Sequence, residues 1–200
     1  MKPTIRWTRE LEEASRRAAE STVARADRTG LVDVGYGTVD TPIGRVLIAV
    51  TKVGLVRVAY PDEDLDLVLE ELADDLSPRV LEDPRRTDGA RRQLDAYFEG
   101  RVKRFRTALD WSLATGGFSR RVLEATAAIP FGSVSTYRDV ATRAGSPRAA
   151  RAAGNALHDN PLPIVVPCHR VVPSAGGIGQ YGGDPWRKEF LLRLEGALDG

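Results

Sequence analysis

The sequence predicts an α+β fold in two parts, a small antiparallel sheet with helices followed by a mostly helical unit containing a helix-turn-helix. Three observations predict it. Short apolar runs punctuated by Pro and Gly fill residues 32–60, and 3.6-periodic runs follow them. Beyond Thr115-Gly116-Gly117 the character changes to short helices and Pro-rich loops. A chain of 200 residues can hold two small cores. The expected division is an N-terminal extension over 1–30, an α/β domain over 31–114 and a second domain over 118–200.

Residues 8–27 read as a polar, Arg- and Ala-rich helix ending near Thr29-Gly30, with too few large apolar residues to pack tightly and no function assigned. From Val32, the segments VDVGYGTVD, GRVLIAV and GLVRVAY alternate like strands. Thr41-Pro42-Ile43-Gly44 and Thr51-Lys52-Val53-Gly54 separate them, as in an antiparallel meander. Asp62 is positioned to cap an acidic amphipathic helix carrying Leu65, Val68, Leu69 and Leu72 at helical spacing. A second helix over about 88–99 ends at Gly100, and VKRFRTALDW reads as a further strand. After the Gly pair, Phe118, Val122 and Ala125 share one face of a helix that stops before Pro130.

Composition narrows the function classes. The chain is 42% hydrophobic and 28% charged, as in ordinary globular domains. No apolar run approaches the roughly 20 residues needed to span a bilayer, and the first residues lack a secretory h-region. A cytoplasmic address with no membrane partner is expected. With one cysteine and two histidines, an internal disulfide is excluded and an all-protein zinc site is not expected. The net charge of +1 hides a gradient: residues 1–117 carry 19 basic and 21 acidic side chains, residues 118–200 carry 10 and 7.

Much of that basic excess gathers in SVSTYRDVATRAGSPRAARAAGNALHD, residues 133–159. Ser135 is placed to cap a short helix through Arg143, and Gly145 falls where a left-handed C′ residue belongs. Ser146-Pro147 then reads as N-cap and first residue of a second helix. Two short helices joined by a Gly-containing turn make a helix-turn-helix. In the second helix Ala150, Ala153 and Leu157 form an apolar stripe, and Arg148, Arg151 and Asn155 form the opposite polar one. Between Arg138 and Arg151 four arginines face one acid, Asp139, as phosphate contacts require. A solvated Arg-rich helix in a purely structural unit is the alternative.

In the segment NPLPIVVPCHRVVPSAGGIGQYGG, residues 160–183, Ile164-Val165-Val166 reads as a short buried strand ended by Pro167. Cys168 follows with His169 and Arg170. A thiol reacts as thiolate, and an ordinary cysteine is mostly protonated at neutral pH. A neighbouring base and positive charge are the usual means of activating one. A core cysteine beside a surface histidine is the bland alternative.

The string Pro167-Cys168-His169-Arg170-Val171-Val172-Pro173, between NPLPIVV and GGIGQYGG, resembles the O6-alkylguanine-DNA alkyltransferases. The resemblance extends through Pro130-Phe131-Gly132, Tyr137 and Ser146-Pro147-Arg148-Ala149-Ala150-Arg151, and on to Lys188-Glu189, Leu191-Leu192 and Glu195-Gly196. It is strong over about 118–196 and weaker from Tyr36 to Trp111, through TPIGRVLIAV and QLDAYFEG.

That resemblance implies a ribonuclease H-like N-terminal domain, a winged helix-turn-helix C-terminal domain, and single-turnover transfer of an alkyl group from O6-alkylguanine, and from O4-methylthymine, to Cys168. His169 takes the thiol proton through a water, Glu195 orients His169, Tyr137 donates a proton to the leaving purine, and Asn160 holds the turn and the thiol. Arg151 enters the duplex from the minor groove as the nucleotide flips out, since the alkyl carbon is unreachable in a stacked helix. Arg148, Ser146, Ala150, Gly154 and Asn155 accompany it on the DNA face. Leu157, Pro163 and Tyr181 wall the pocket, and the backbone at Cys168, Val171 and Gly182 meets the guanine edge. The implied partner is double-stranded DNA bearing the lesion, bound by a chain that is monomeric in solution, with cooperative assembly on DNA left open and no cofactor. Gln180 and Asp184-Pro185 depart from the commonest family pattern. The alternatives are a relative that binds alkylated DNA without repairing it, and a Cys-His hydrolase of another class.

Overall fold

The computed structural model describes residues 9, 11–18, 21–22, 32–181 and 184–198. Of the polar N-terminal segment, residues 11–18 are helical and exposed, and the rest of the expected helix lies largely outside the described residues. Among the described residues no helix is long and apolar enough to cross a membrane.

Three antiparallel strands, β1 (Val34–Thr41), β2 (Gly44–Val50) and β3 (Leu55–Ala59), form the expected meander. Helix α1 (Leu65–Asp75) then carries the chain to the far edge, where β4 (Val80–Glu82) joins β1. The sheet order is therefore β3-β2-β1-β4. Because β4 runs parallel to β1, the sheet is mixed rather than wholly antiparallel. A helical crossover delivers a strand in the parallel sense, and the meander alone did not reveal it.

Side-chain alternation then decides which helix covers which face. Val46, Ile48 and Val50 of β2 point into the main core with Leu94 and Tyr97 of α2 (Pro84–Phe98). Leu47 and Ala49 point the other way, onto Val68 and Leu72 of α1. The cap of α1 is Asp64 rather than Asp62, accepting from the Asp66 and Leu67 amides. Residues 102–111 form no ladder: only Leu109 bridges, next to Leu55. That approach requires Gly54, where a Cβ would lie 2.1 Å from the Ala108 carbonyl oxygen. With arginines at 104 and 106 and a single bridged position, the segment cannot propagate as the strand expected there.

The second part packs α3 (Gly117–Ala127), α4 (Tyr137–Arg143) and α5 (Ala150–His158) together. A two-residue strand β5 (Ser135–Thr136) lies parallel to β6 (Val171–Val172), and α6 (Pro185–Leu194) closes the chain. Thr136, not Ser135, caps α4. Its hydroxyl accepts the Asp139 amide while the Asp139 carboxylate accepts the Thr136 amide, a reciprocal box. Ser135 is unavailable because it pairs with Val171. Gly145 has the expected left-handed backbone (φ 81°). Its amide donates to Thr142 O and that of Ser146 to Ala141 O, the two bonds of a Schellman end.

That closure explains one departure. The Ser146 amide completes α4 and its carbonyl accepts from Ala149 in a separate turn, so Ser146-Pro147 does not start the second helix. Helix α5 begins at Ala150 and buries Ala153, Ala156 and Leu157 against α3 and α4, with Ala150 half-buried.

Candidate active site

From Asn160 to Cys168 the chain is buried but not extended, so the strand expected at Ile164–Val166 is absent. Prolines at 161, 163 and 167 withhold the amides a ladder needs. Tight turns replace it: Val165 N–H donates to Pro163 O, Val166 N–H to Leu162 O and Cys168 N–H to Val166 O, each at 2.8 Å. Ile164 takes a positive φ of 71°, a strained state for a β-branched residue, costing roughly 1–3 kcal/mol and common beside functional groups. Asn160 ties the loop together. Its Nδ2 donates to Val166 O at 2.9 Å and to the Cys168 sulfur at 3.2 Å, and its Oδ1 accepts from the Leu162 amide at 3.0 Å.

Cys168, His169 and Arg170 form one turn of 3₁₀ helix, which sends consecutive side chains in different directions. The His169 ring is fully buried, with Nε2 2.9 Å from Oε1 of Glu195. A carboxylate only accepts, so Nε2 carries the proton and Nδ1 has a free lone pair. Nδ1 is buried and meets no hydrogen-bond partner among the described residues.

Arg170 does not turn its charge to the thiol. It forks onto Glu195 at 2.8 and 2.9 Å and donates to Ile129 O. Tyr97 of α2 donates its phenol to the same carboxylate at 2.6 Å. Burial would raise the Glu195 ionisation, but bonds from His169, Arg170 and Tyr97 outweigh it and hold the group at about 2.

Burial pushes the Cys168 thiol above its ordinary value, against opposing bonds from Asn160 and Tyr181 and the field of Lys188. Burial also pushes His169 down, helped by Arg170 and Lys188 and resisted by Glu195. Both groups therefore rest neutral at pH 7.

Lys188 is itself buried, its Nζ donating to Val171 O at 2.7 Å, and burial brings it down to about 8. Since the Val171 amide donates to Cys168 O, both backbone groups of that residue are engaged. Tyr181 bonds Tyr60 of the sheet unit through their hydroxyls at 2.5 Å and lies 3.9 Å from the sulfur.

Cys168 lines a cavity of about 360 Å³ together with Tyr137, Gly154, Asn155, Leu157, Gln180 and Tyr181. That is within the size range of small-ligand sites. Burial and the nearby cysteine raise the Tyr137 phenol, keeping it protonated. Pro163 lines a second, adjoining cavity. Gly182 lies outside the described residues. Arg148, Arg151 and Asn155 are exposed, Ser146 and Gly154 half-buried, and the two arginines make no ion pair among the described residues. The absence of a side chain at Gly154 leaves the Tyr137 ring open to the cavity.

Sequence reasoning missed Tyr97, Tyr60 and Lys188 and misjudged Arg170. The available signal was charge on an apolar face: Lys188 and Glu195 share the buried side of α6 with Leu191 and Leu192. Nothing local marks the tyrosines. Among the described residues no group of His, Cys, Asp and Glu is arranged to hold a metal ion.

Comparison with known proteins identifies relatives of the whole two-part chain. Residues 34–111 match the ribonuclease-like domain of 6-O-methylguanine DNA methyltransferase, and residues 117–197 match its DNA binding domain. A methylated-DNA–protein-cysteine methyltransferase of Mycolicibacterium paratuberculosis is 39% identical over 162 residues, covering 81% of this chain and 92% of its own length. One from Methanosarcina barkeri is 36% identical over 162 residues, covering 80% and 96%. The crystal structure of Mycobacterium tuberculosis O6-methylguanine methyltransferase superposes with a TM-score of 0.71 at 36% identity, over 82% of this chain and 93% of that one. The OGT of the same organism in complex with DNA superposes at 0.70, with the same identity and coverage.

Proposed function

Since the chain belongs to the 6-O-methylguanine DNA methyltransferase family, we propose that it repairs DNA by moving the alkyl group of O6-alkylguanine, and of O4-methylthymine, onto Cys168. It is a methylated-DNA–protein-cysteine methyltransferase. Residues 118–200 are the DNA-binding and alkyl-transfer domain, residues 31–114 support it, and residues 1–30 form an extension.

The lesion reaches the sulfur by flipping out of the stack into the cavity beside Tyr137. Arg151, at the start of α5 and without an ion pair among the described residues, fills the gap through the minor groove. Arg148, Ser146, Ala150, Gly154 and Asn155 accompany it at the DNA. His169 Nδ1 draws off the thiol proton through a water, with Glu195 fixing the tautomer. The sulfur lone pair forms a bond to the alkyl carbon as the carbon–O6 bond breaks. Tyr137 gives a proton to the purine, which leaves as neutral guanine. Thiol and lesion supply every atom, so no cofactor is needed, and the thioether product consumes the protein in one turnover. Its partner is double-stranded DNA bearing the lesion, and the chain is a monomer in solution.

The observation that carries this reading is the pairing at the site: a sulfur held by Asn160 on a base-sized cavity, beside a neutral, buried imidazole whose Nε2 is tied to Glu195. Intact-mass spectrometry after mixing with duplex containing O6-methylguanine tests it. One methyl should appear, on Cys168, and none in Cys168→Ala. Unmodified protein bound to the duplex would instead indicate a binding-only relative, and neither modification nor binding a hydrolase-type site.

A further inference from the structure

We propose that Tyr60, in the sheet unit, is a positioning residue for the transfer: acting through the Tyr181 hydroxyl, it directs a hydrogen bond onto the Cys168 sulfur as the thiol proton leaves. The inference rests on the alkyl-transfer reading and gives the first unit a part in it.

A sulfur losing its proton needs donors, and the one expected from the sequence is turned away: Arg170 forks onto Glu195. Asn160 gives the sulfur one bond. The Lys188 ammonium is held by Val171 O and, at 3.4 Å, by Gln180 O. That leaves Tyr181, whose hydroxyl lies 3.9 Å from the sulfur and 2.5 Å from the Tyr60 hydroxyl. A contact of 3.9 Å is long even for sulfur, and catalytic hydrogen bonds that are long at rest tighten as the reaction proceeds.

A phenol both donates and accepts, so the three groups form a chain that runs in two directions. With the thiol protonated, S–H points to the Tyr181 oxygen and the Tyr181 O–H to Tyr60. An anionic sulfur only accepts, so Tyr181 then donates to it and Tyr60 donates to Tyr181. The second direction is the stronger one, because its acceptor is charged and each bond polarises the next. Burial, and after it the neighbouring cysteine, raise both phenols far above neutrality, so neither gives up its proton. The thiol proton still leaves through His169, and the only covalent changes are those of the transfer itself.

Tyr60 is fixed as this task requires. Its amide donates to Glu63 Oε1 at 2.6 Å, and its carbonyl accepts the Glu63 amide at 3.1 Å. The Arg187 guanidinium of α6 lies 4.9 Å from the centre of its ring and bonds Asp62 at 2.6 Å. Arg187 is buried, and its Nε meets no hydrogen-bond partner among the described residues. Its positive charge opposes the effect of burial on the Tyr60 phenol and so improves the hydroxyl as a donor.

The other ionisable groups around the sulfur do not duplicate this role. Tyr137 of α4 faces it as a phenol, and Lys188 of α6 is held to carbonyls. His169 adjoins it, neutral, with Nε2 on Glu195. On the adjoining cavity of about 510 Å³, Arg57 is paired with Glu63, and Asp62 with Arg187. Glu71 and Asp75 of α1, His158 of α5 and Asp159 line it too but are exposed, where solvent screens them.

The test is the pH profile of Cys168 alkylation by iodoacetamide, read by intact mass, which follows the thiolate. Wild type, Tyr60→Phe, Tyr181→Phe and the double variant are compared, since Phe keeps each ring and removes only the hydroxyl. The midpoint should rise by about one pH unit in Tyr181→Phe, the scale of a lost bond to a charged group, and by about half a unit in Tyr60→Phe. With the Tyr181 hydroxyl already gone, adding Tyr60→Phe should move the midpoint no further. In single turnover on O6-methylguanine duplex at pH 7, Tyr60→Phe should lower the limiting rate about twofold, since a scarcer thiolate is also the more nucleophilic one. The half-saturating duplex concentration should not change. A Tyr60→Phe midpoint within about 0.2 unit of wild type, or a full further rise in the double variant, would overturn the role of Tyr60. A lower urea midpoint with the thiol profile unmoved would do the same, leaving Tyr60 a structural contact. If wild type takes no methyl from the duplex, the alkyl-transfer reading itself falls, and the role in transfer with it.

Discussion

Replacing Glu195 by Gln tests the centre of the site, because four side-chain bonds converge on one carboxylate. His169, the two arms of Arg170 and Tyr97 all donate to it. The ionisation falls from an ordinary 4.5 to about 2. At about 1.4 kcal/mol per factor of ten, the fold favours the charged over the neutral form by about 3 kcal/mol. Gln has the size of the neutral form but turns an amide N–H₂ toward donors, and it leaves Arg170 buried without its counter-charge. A loss of about 3–5 kcal/mol at pH 7 is expected, lowering the urea midpoint by about 1.5–2.5 M for a slope of about 2 kcal/mol/M.

The sign of the pH dependence provides a control. A depressed carboxyl contributes stability above its unfolded ionisation and loses it as pH falls toward the folded one. The gap between wild type and variant should therefore narrow from pH 4.5 toward pH 2. Transfer from O6-methylguanine duplex in single turnover should slow by about 10²–10³, since nothing then fixes the His169 tautomer. A variant within about 1 kcal/mol of wild type, or a stability gap that stays constant across that window, would refute the assignment of Glu195 as the clamp.

Other expectations follow from the same geometry. Asn160→Ala leaves the Leu162 N–H buried without a partner and removes one of the two bonds to Val166 O, and should cost about 1–3 kcal/mol by urea unfolding, with slower alkylation of Cys168. An unchanged midpoint would mean that the loop is held otherwise. Arg151→Ala should slow repair of duplex by about tenfold or more, the scale of a lost contact of roughly 1.4 kcal/mol, yet leave reaction with free O6-benzylguanine nearly unaltered; equal losses on both would contradict a role in flipping. Because burial lowers His169, the acid limb of the transfer rate should fall below pH 6.5, and a limb at or above that value would show that another group is the base.

The parts of this molecule legible in the sequence are those decided within a few residues. The alternation of GRVLIAV, the glycine ending α4 and the Cys-His-Arg turn between prolines were all readable, and each depends on local backbone preference. Misreadings arose where tertiary contacts decided between local options. Ser146 suits an N-cap, but its amide is taken by the closing turn of α4. Ile164–Val166 is apolar enough for a strand, yet three prolines and the side chain of Asn160 fold it into turns. Arg170 looked like the thiol's positive neighbour because it is two residues away, and the 3₁₀ turn directs it to Glu195 instead. Tyr97 reaches Glu195 across 98 residues and Tyr60 reaches Tyr181 across 121, distances at which no local pattern could signal a partner.

The ionisation of the site also bears on how its reactivity is released. Burial acts on sulfur and imidazole in opposite directions on the pKa scale but toward the same result, two neutral groups. A permanently ionised thiol would be open to oxidants and stray electrophiles, and on the proposed reading a protein that uses its sulfur once loses all activity to one such event. A neutral pair reacts only when an electrophilic carbon is placed on the sulfur as its proton leaves, and when the departing base is protonated in turn. Tyr137, kept in its phenol form by the same burial, can meet that last requirement only for a group seated in the cavity it lines. The desolvation that suppresses the resting thiol is thus also what makes its attack conditional on the substrate. By this argument, opening the cavity to solvent should raise the reactivity of Cys168 toward simple alkyl halides even as it slows repair.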